Sequence, residues 1–412
     1  MKYVLLMGRG IEGTGNTKYA VELHSYLEKS GHSCMTIANS DKKWGREKSH
    51  PNHIIQLSFE NEENVISAMC KDADVVIVLS TPAKNYPEFS KIAFYDVIKE
   101  TFESGVKVIY IQVDHKIQSI NRNFYADWEY TDIFDYFTKV FTHSRESDFV
   151  RFCDNNGIVT DNFIYGDDGC FVGINGLDWD KYKKYWKPMS DKTPGTLKFI
   201  GRSANWKGPW LVRDIHDKYL KNDFITTLEG IEGSIGTVKE LYKETKPIRI
   251  PRDDVLIHMS TEDKKKLDSG NFKFEYDKPV YVLPPYDNEK ALERMSKCYF
   301  GIELLLLEDK VLKNIMEYAM MEIVAVGTIP VFRKRWGEMF KVDGKPLIEH
   351  DCGTIFMDES NPEKADIELQ MLRTARNPYD YEQMRKKAFD FYSKYFNSER
   401  NFGELVRLIN EI

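Results

Sequence analysis

The chain reads as α/β, with two doubly wound domains in tandem, each a parallel sheet covered by helices. Three observations predict this. Short β-branched runs alternate with longer segments of helical period, the pattern of strands buried on both faces and joined by crossover helices. The alternation restarts after the polar, Lys- and Pro-bearing stretch YKKYWKPMSDKTP at 182–194, which has no sustained apolar period. The 412 residues also suffice for two separate cores, because single cores stop growing beyond about 250–300 residues.

In the first half, strands are expected at 3–7, 33–37, 74–79, 106–112 and 139–142. Helices fall between them, the first over 17–29, where Ser30-Gly31 supplies a glycine C-cap. The second half starts with a strand at 197–200, then a helix over 210–221, strands at 224–228 and 280–283, and a helix over 288–297. A strand at 299–304, a helix over 310–325 and strands at 329–332 and 354–357 follow, and charged helical segments over 381–412 close the chain. The expected division is a first domain at 1–185, a linker at 186–196, a second domain at 197–376, and C-terminal helices at 377–412 that pack back on the first domain. In two-domain α/β enzymes, ligands sit in a central cleft where the carboxyl ends of the two sheets face each other.

Composition narrows the function. Aromatic residues make up 13% of the chain and apolar residues 42%, which excludes a disordered chain. The net charge of −7 argues against a protein that coats nucleic acid or anionic membrane through bulk charge. The apolar run before Gly8-Arg9-Gly10 is too short for a signal-peptide core or a membrane span, so a cytosolic protein without membrane attachment is expected. Cys34, Cys70, Cys153, Cys170, Cys298 and Cys352 form no C-x-x-C pair or Cys/His cluster; reduced thiols in the core are expected, with no zinc site.

Three segments follow or precede strands where chemistry is expected. GRGIEGTGN (8–16) lies between a strand and a helix, and its glycines let backbone N–H groups approach an anion or polar oxygen, though a plain structural turn explains them equally well. GRSANWKG (201–208) follows the first strand of the second domain. Its Arg202 offers a planar fork and its Lys207 a point charge at a helix start, a pair suited to a diphosphate; two surface cations beside a turn is the alternative. EYAMMEIVAVGTIPV (317–331) places Glu322 on an apolar helix that ends at Gly327. A carboxylate on a buried face needs partners, and the vicinal hydroxyls of a ribose suit it, whereas a solvated outer face needs none.

The order G-R-x-x-x-x-K-G, then Glu ahead of G-T-I-P-V, resembles nucleotide-sugar glycosyltransferases of the GT-B fold. A closer resemblance is to the DNA α-glucosyltransferase family of T-even bacteriophages. It is carried by RGIEGTGNTK (9–18), DKKWGREKSH (41–50), VDHKIQSINRN (113–123), THS (142–144), IGRSANWKG (200–208), LEGIEGS (228–234), LERMSKCYFG (292–301), EYAMMEIVAVGTIPVF (317–332) and HDCGTIFMDE (350–359). The resemblance implies two Rossmann-like domains facing a central cleft, the first toward the acceptor and the second holding the donor. It implies transfer of glucose from UDP-glucose to 5-hydroxymethylcytosine in duplex DNA, with retention at the anomeric carbon, by a monomer in the cytoplasm of the infected bacterial host.

Site assignments follow from the same resemblance. Gly13, Gly15, Arg202, Lys207, Glu317, Glu322 and Gly327 are the donor-binding candidates. Asp114 and His115, at the end of a first-domain strand, are the catalytic ones: a carboxylate there serves as base or as stabiliser of positive charge at the anomeric carbon, unless it only caps a loop. With no obvious enzyme nucleophile, retention implies a front-face route in which the leaving diphosphate takes the acceptor's proton. Arg202 and Lys207 then take the part a divalent metal plays elsewhere, so no metal and no cofactor beyond the UDP-sugar is expected. Placing a paired cytosine's hydroxymethyl group against a buried anomeric carbon is simplest with the base flipped out. Lys42, Lys43, Trp44, Arg46, Lys48 and His50, with Lys116, Arg122 and Asn123, are the expected DNA contacts, the alternative being ordinary charged loops. Arg333, Lys334 and Arg335 are a further cluster for donor phosphates or DNA.

One departure bears on the donor. The phage family has His-Asp-His where this chain has Val113-Asp114-His115. Loss of a polar partner for a hexose hydroxymethyl arm costs about 1–3 kcal/mol, which favours a pentose such as UDP-arabinose over UDP-glucose. Asn314 stands where many retaining enzymes carry a second Glu, as a non-acid does in the phage family. Two other classes remain: a GT-B enzyme acting on a lipid, polysaccharide or small molecule, and a DNA-binding module without catalysis.

Overall fold

The runs KYVLLM and VVIVLS are buried over nearly their whole length, as central strands of a parallel sheet are when helices cover both faces. The computed structural model describes residues 1–11, 15–41, 53–82, 86–113, 131–142, 145, 148–166, 175–201, 207–220, 224–229, 281–283, 288–307, 309–313, 315–358, 371 and 373–412.

These residues form two units, Met1–Asp178 with Asn314–Tyr318 and Phe396–Ile412, and Trp179–Lys313 with Ala319–Tyr395. The first unit contains β1 (Lys2–Met7), α1 (Gly15–Lys29), β2 (Ser33–Asn39), β3 (Ile54–Leu57), α2 (Phe59–Lys71), β4 (Val75–Ser80), α3 (Glu88–Glu103), β5 (Lys107–Ile111), β6 (Lys139–Thr142), α4 (Asp148–Asn155) and β7 (Phe163–Tyr165). Its sheet has the order β3-β2-β1-β4-β5-β6-β7, and every pairing is parallel. The core gathers Leu6, Ile37, Phe59, Phe94, Tyr110 and Phe149. The edge strands β3 and β7, of four and three residues, escape the sequence reading because they are too short to show a period.

The second unit contains β8 (Thr193–Ile200), α5 (Pro209–Ile215), β9 (Ile225–Glu229), β10 (Tyr281–Leu283), α6 (Asn288–Ser296), β11 (Cys298–Glu303), α7 (Asp309–Leu312), α8 (Tyr318–Ala325), β12 (Ile329–Arg333), α9 (Lys334–Met339), the short hairpin β13 (Lys341–Val342) and β14 (Lys345–Pro346), β15 (Ile355–Met357) and α10 (Pro378–Tyr395). Its sheet runs β10-β9-β8-β11-β12-β15, again parallel throughout. Leu197, Phe199, Phe300, Val331 and Tyr381 share its core. The last helix, α11 (Ser398–Asn410), is counted with the first unit.

Three expectations change. The stretch 186–196 is not a bare linker: the second unit begins at Trp179, whose 310 turn (Trp179–Tyr185) buries Trp179, Tyr182 and Tyr185, and β8 starts at Thr193. The helix expected over 310–325 is two helices, α7 and α8, because the residues between them are counted with the first unit; there the Met316 carbonyl accepts from Asn175 Nδ2 at 2.8 Å. The C-terminal helices divide as well. Tyr381 of α10 is fully buried in the second core and donates to the Tyr299 carbonyl at 2.6 Å, whereas in α11 Phe402 packs edge-on against Tyr19 of the first unit at 5.3 Å. The break falls at Asn397, whose side chain caps α11 by accepting from the Arg400 N–H at 2.7 Å.

Candidate functional site

Strand order in the second unit reverses between β8 and β11, and at such a switch point the carboxyl ends of the strands leave room for a ligand. Lys207 lies there, past the end of β8, only 7% exposed. Its Nζ is 3.2 Å from Oε2 of Glu303, the last residue of β11, whose side chain is fully buried. Gly201 makes room for this lysine: a Cβ there would stand 3.0 Å from Lys207 Cδ and 3.0 Å from the Phe199 ring. Gly208 has a φ of +62°, and a Cβ on it would meet Leu306 Cδ1 at 2.8 Å, so both conformation and space require glycine.

The next strand end braces the same region. Arg333, which ends β12, donates through Nη1 to the Leu305 carbonyl at 3.1 Å and the Leu307 carbonyl at 3.0 Å. These bonds hold the loop after Glu303, in which Leu305 adopts a φ of +45°, uncommon for a branched residue. The cluster Arg333, Lys334 and Arg335 has partners within the unit. Arg335 donates through Nε to Asp309 at 2.9 Å, pairs with Glu338 at 3.2 Å and holds the Asp309 carboxyl below its usual range; Lys334 lies 3.9 Å from Asp358.

Glu322 sits on α8, half-buried and not on a fully buried face. Its Oε1 accepts from Tyr182 Oη at 3.2 Å and from Asn288 Nδ2 at 3.1 Å. Gly327 closes α8, its N–H bonding the Val324 carbonyl at 2.9 Å with a φ of +73°, and a Cβ there would meet the Trp186 ring at 2.7 Å. That glycine is required by the turn and by Trp186, whatever else it does. Glu317 is half-buried in the stretch before α8 and is counted with the first unit, so Glu317 and Glu322 belong to different units.

In the first unit the sheet reverses between β1 and β4. Gly8 donates to the Ser80 carbonyl at 2.8 Å, and a Cβ on it would meet Pro82 at 2.7 Å; Gly10 donates to Tyr86 Oη at 2.7 Å. These glycines serve close packing of the two strand ends. Gly15 opens α1 with nothing near the position of a Cβ. Val113, just past β5, is 7% exposed. Gly13, Lys42, Lys43, Trp44, Arg46, Lys48, His50, Asp114, His115, Lys116, Arg122, Asn123 and Arg202 lie outside the described residues.

Glu303, Tyr182 and Asn288 were not foreseen as site residues. Glu303 has a signal in the sequence, a carboxylate closing an otherwise uncharged strand, whereas Tyr182 opens a polar stretch without apolar period and Asn288 stands only at a helix start. Among the described residues no group of three or more His, Cys, Asp or Glu side chains is placed to hold a metal, and no helix is long and apolar enough to cross a membrane.

Comparison with known proteins agrees with this arrangement. A family model for DNA alpha-glucosyltransferase matches residues 14–377. The DNA alpha-glucosyltransferase of Enterobacteria phage T4 is 29% identical over 423 residues, covering all of both chains. The solved structure of an alpha-glucosyltransferase in complex with UDP and a 13-mer DNA containing an HMU base superposes with a TM-score of 0.86 at 27% identity, over 100% of this chain and 99% of that one. One in complex with UDP-glucose and DNA containing an abasic site gives the same score, identity and coverage, 0.86, 27%, 100% and 99%. Anabaena Alr3699/HepE in complex with UDP, at 11% identity, TM-score 0.60 and full coverage of both chains, shares the fold. The two Rossmann-like units are those of the GT-B class.

Proposed function

Because the chain belongs to the DNA alpha-glucosyltransferase family, we propose that it moves a sugar from a UDP-sugar to the hydroxymethyl oxygen of 5-hydroxymethylcytosine in duplex DNA. The observation that carries this reading is the buried Lys207–Glu303 pair at the switch point of the second sheet, in a chain similar over its full length to proteins solved with UDP, UDP-glucose and DNA. A lysine paired with a carboxylate in a dry site is placed where a cation acts most strongly on developing charge. With Arg202 it receives the charge of the departing diphosphate, and no metal is needed for that step. Glu322, oriented by Tyr182 and Asn288, accepts from the ribose hydroxyls. Asp114 and His115 directly follow buried Val113 at the end of β5 and serve the acceptor oxygen and the anomeric carbon. Transfer retains the anomeric configuration by a front-face route, and the target base is extruded to reach the sugar.

The donor has two readings. Family membership favours UDP-glucose. A specific observation favours a pentose such as UDP-arabinose: Val113 is buried and apolar at the position next to Asp114, so it offers no partner to a hexose hydroxymethyl arm. Incubation of the chain with radiolabelled UDP-glucose or UDP-arabinose and duplex DNA containing cytosine or 5-hydroxymethylcytosine tests both levels. Label in the hydroxymethylated duplex alone is expected, and label in neither duplex with either donor overturns the DNA acceptor in favour of a non-DNA one. Clear preference for UDP-glucose removes the pentose reading.

A further inference from the structure

The carboxyl edge of the first sheet carries two features that the catalytic assignment leaves unused. Phe89, the second residue of α3, is 70% exposed, the most exposed large apolar side chain among the described residues of its unit. Single exposed apolar residues are ordinary, but this one is placed. It lies just past the loop leaving β4, three residues after Tyr86, which is 3% exposed and tied to the Gly10 N–H. The inner face of α3 is built from Ser90, Ala93, Phe94 and Val97, so burial of the helix makes no use of Phe89. Its neighbour Glu88 is paired with Lys91 at 3.0 Å, which reduces the local negative charge.

The second feature is the exposed Arg145, three residues past β6, whose guanidinium stands 4.4 Å from the ring centroid of Tyr165 at the end of β7. A guanidinium stacked on a ring is held flat, the orientation suited to two parallel bonds to a phosphate. In the sheet order β4-β5-β6-β7, Phe89 and Arg145 flank the end of β5, which leads to Asp114. Three strand spacings separate β4 from β7, about 14 Å, or about four nucleotide steps along one strand of a duplex.

We infer that this edge, from Phe89 to Arg145 on Tyr165, is a docking surface for duplex DNA. Phe89 stacks on a base left unpaired when the target is extruded, and Arg145 grips a flanking phosphate. The inference rests on the DNA acceptor proposed above. Its residues are distinct from Lys42 to His50 and from Lys116, Arg122 and Asn123, the DNA contacts expected from the sequence.

The test is titration of a 5-hydroxymethylcytosine duplex onto the full chain with UDP present, followed by fluorescence anisotropy over a range of salt. Phe89→Ala is expected to weaken binding about tenfold at every salt concentration, and Phe89→Trp to restore it. Arg145→Ala is expected to flatten the slope of log affinity against log salt by about 0.9, the loss of one phosphate contact. Both changes raise the KM for DNA and leave the KM for the sugar donor unchanged. Wild-type affinity and salt slope in both Ala variants overturn the docking surface while leaving the DNA reading intact. A wild-type chain that binds no duplex overturns the DNA reading, and this inference with it.

Discussion

Two buried lysines mark opposite ends of the same sheet in the second unit. Lys192 precedes β8 at the amino edge, and its Nζ donates to the Ser296 carbonyl at 2.7 Å and the Cys298 carbonyl at 3.0 Å, with Thr328 Oγ1 at 3.5 Å. Burial, with the Arg385 cation nearby, pushes its ammonium down to about 7. Lys207 lies past the other end of the same strand and faces Glu303. Both side chains leave water, yet among the described residues only Lys207 has a counter-ion at salt-bridge distance. The difference separates two ways of burying a lysine: neutral carbonyls suffice where it joins three strand ends, whereas at the switch point, where we propose that it meets a diphosphate, it faces a carboxylate.

The strongest test of that contrast removes the counter-ion. Glu303→Gln leaves Lys207 buried without its carboxylate and is expected to cost about 3–5 kcal/mol in urea unfolding. The double variant Lys207→Met with Glu303→Leu recovers most of the stability but none of the turnover; a cost below about 1 kcal/mol for the single change would break the comparison.

A smaller effect is expected at the amino end. Lys192 titrates at about 7 in the folded chain against 10.5 ordinarily, so between those values the unfolded chain holds a proton that the folded chain lacks. Stability from this group therefore rises with pH across the window, by up to about 1.4 kcal/mol per pH unit, and is lost as pH falls through 7. The measurement is the difference between wild type and Lys192→Met from pH 7 to 9, expected to widen by about 2 kcal/mol in favour of wild type. A difference is needed because buried thiols such as Cys70, pushed up to about 12, act in the opposite direction at alkaline pH. Parallel pH profiles of the two proteins would show that Lys192 keeps its proton throughout.

The smallest expected effect concerns Glu322, which is half-buried and accepts from Tyr182 and Asn288. Glu322→Gln is expected to raise the KM for the UDP-sugar about tenfold, about 1.4 kcal/mol, with kcat nearly unchanged. An unchanged donor KM would remove Glu322 from the donor site and leave Lys207 to carry the contrast.

Much of this organisation was legible before any coordinates. The central strands were found because their two buried faces demand uninterrupted apolar runs, and the G-R-x-x-x-x-K-G segment could be placed after a strand by the same logic. The break at 313–318 was not legible. Helical period continues through Lys310 to Ala325, and the reason for the interruption is which unit the intervening residues pack with. The domain boundary was displaced for a related reason: Trp179, Tyr182 and Tyr185 lie in a Lys-rich stretch whose composition hides the burial of its aromatic residues and their place in the second unit.

Local chemistry in the sequence thus determined the α/β class, the two parallel sheets and the identity of Lys207 and Glu322 as site candidates, since propensity, periodicity and spacing act between near neighbours in the chain. Only the tertiary structure could decide that Lys207 answers to Glu303, 96 residues away, that Arg333 is committed to the carbonyls of Leu305 and Leu307, and that Tyr182 and Asn288 hold Glu322. Those choices depend on which strands become neighbours in the sheet, and strand adjacency is settled by burial summed over a whole core, a quantity that no short stretch of residues carries.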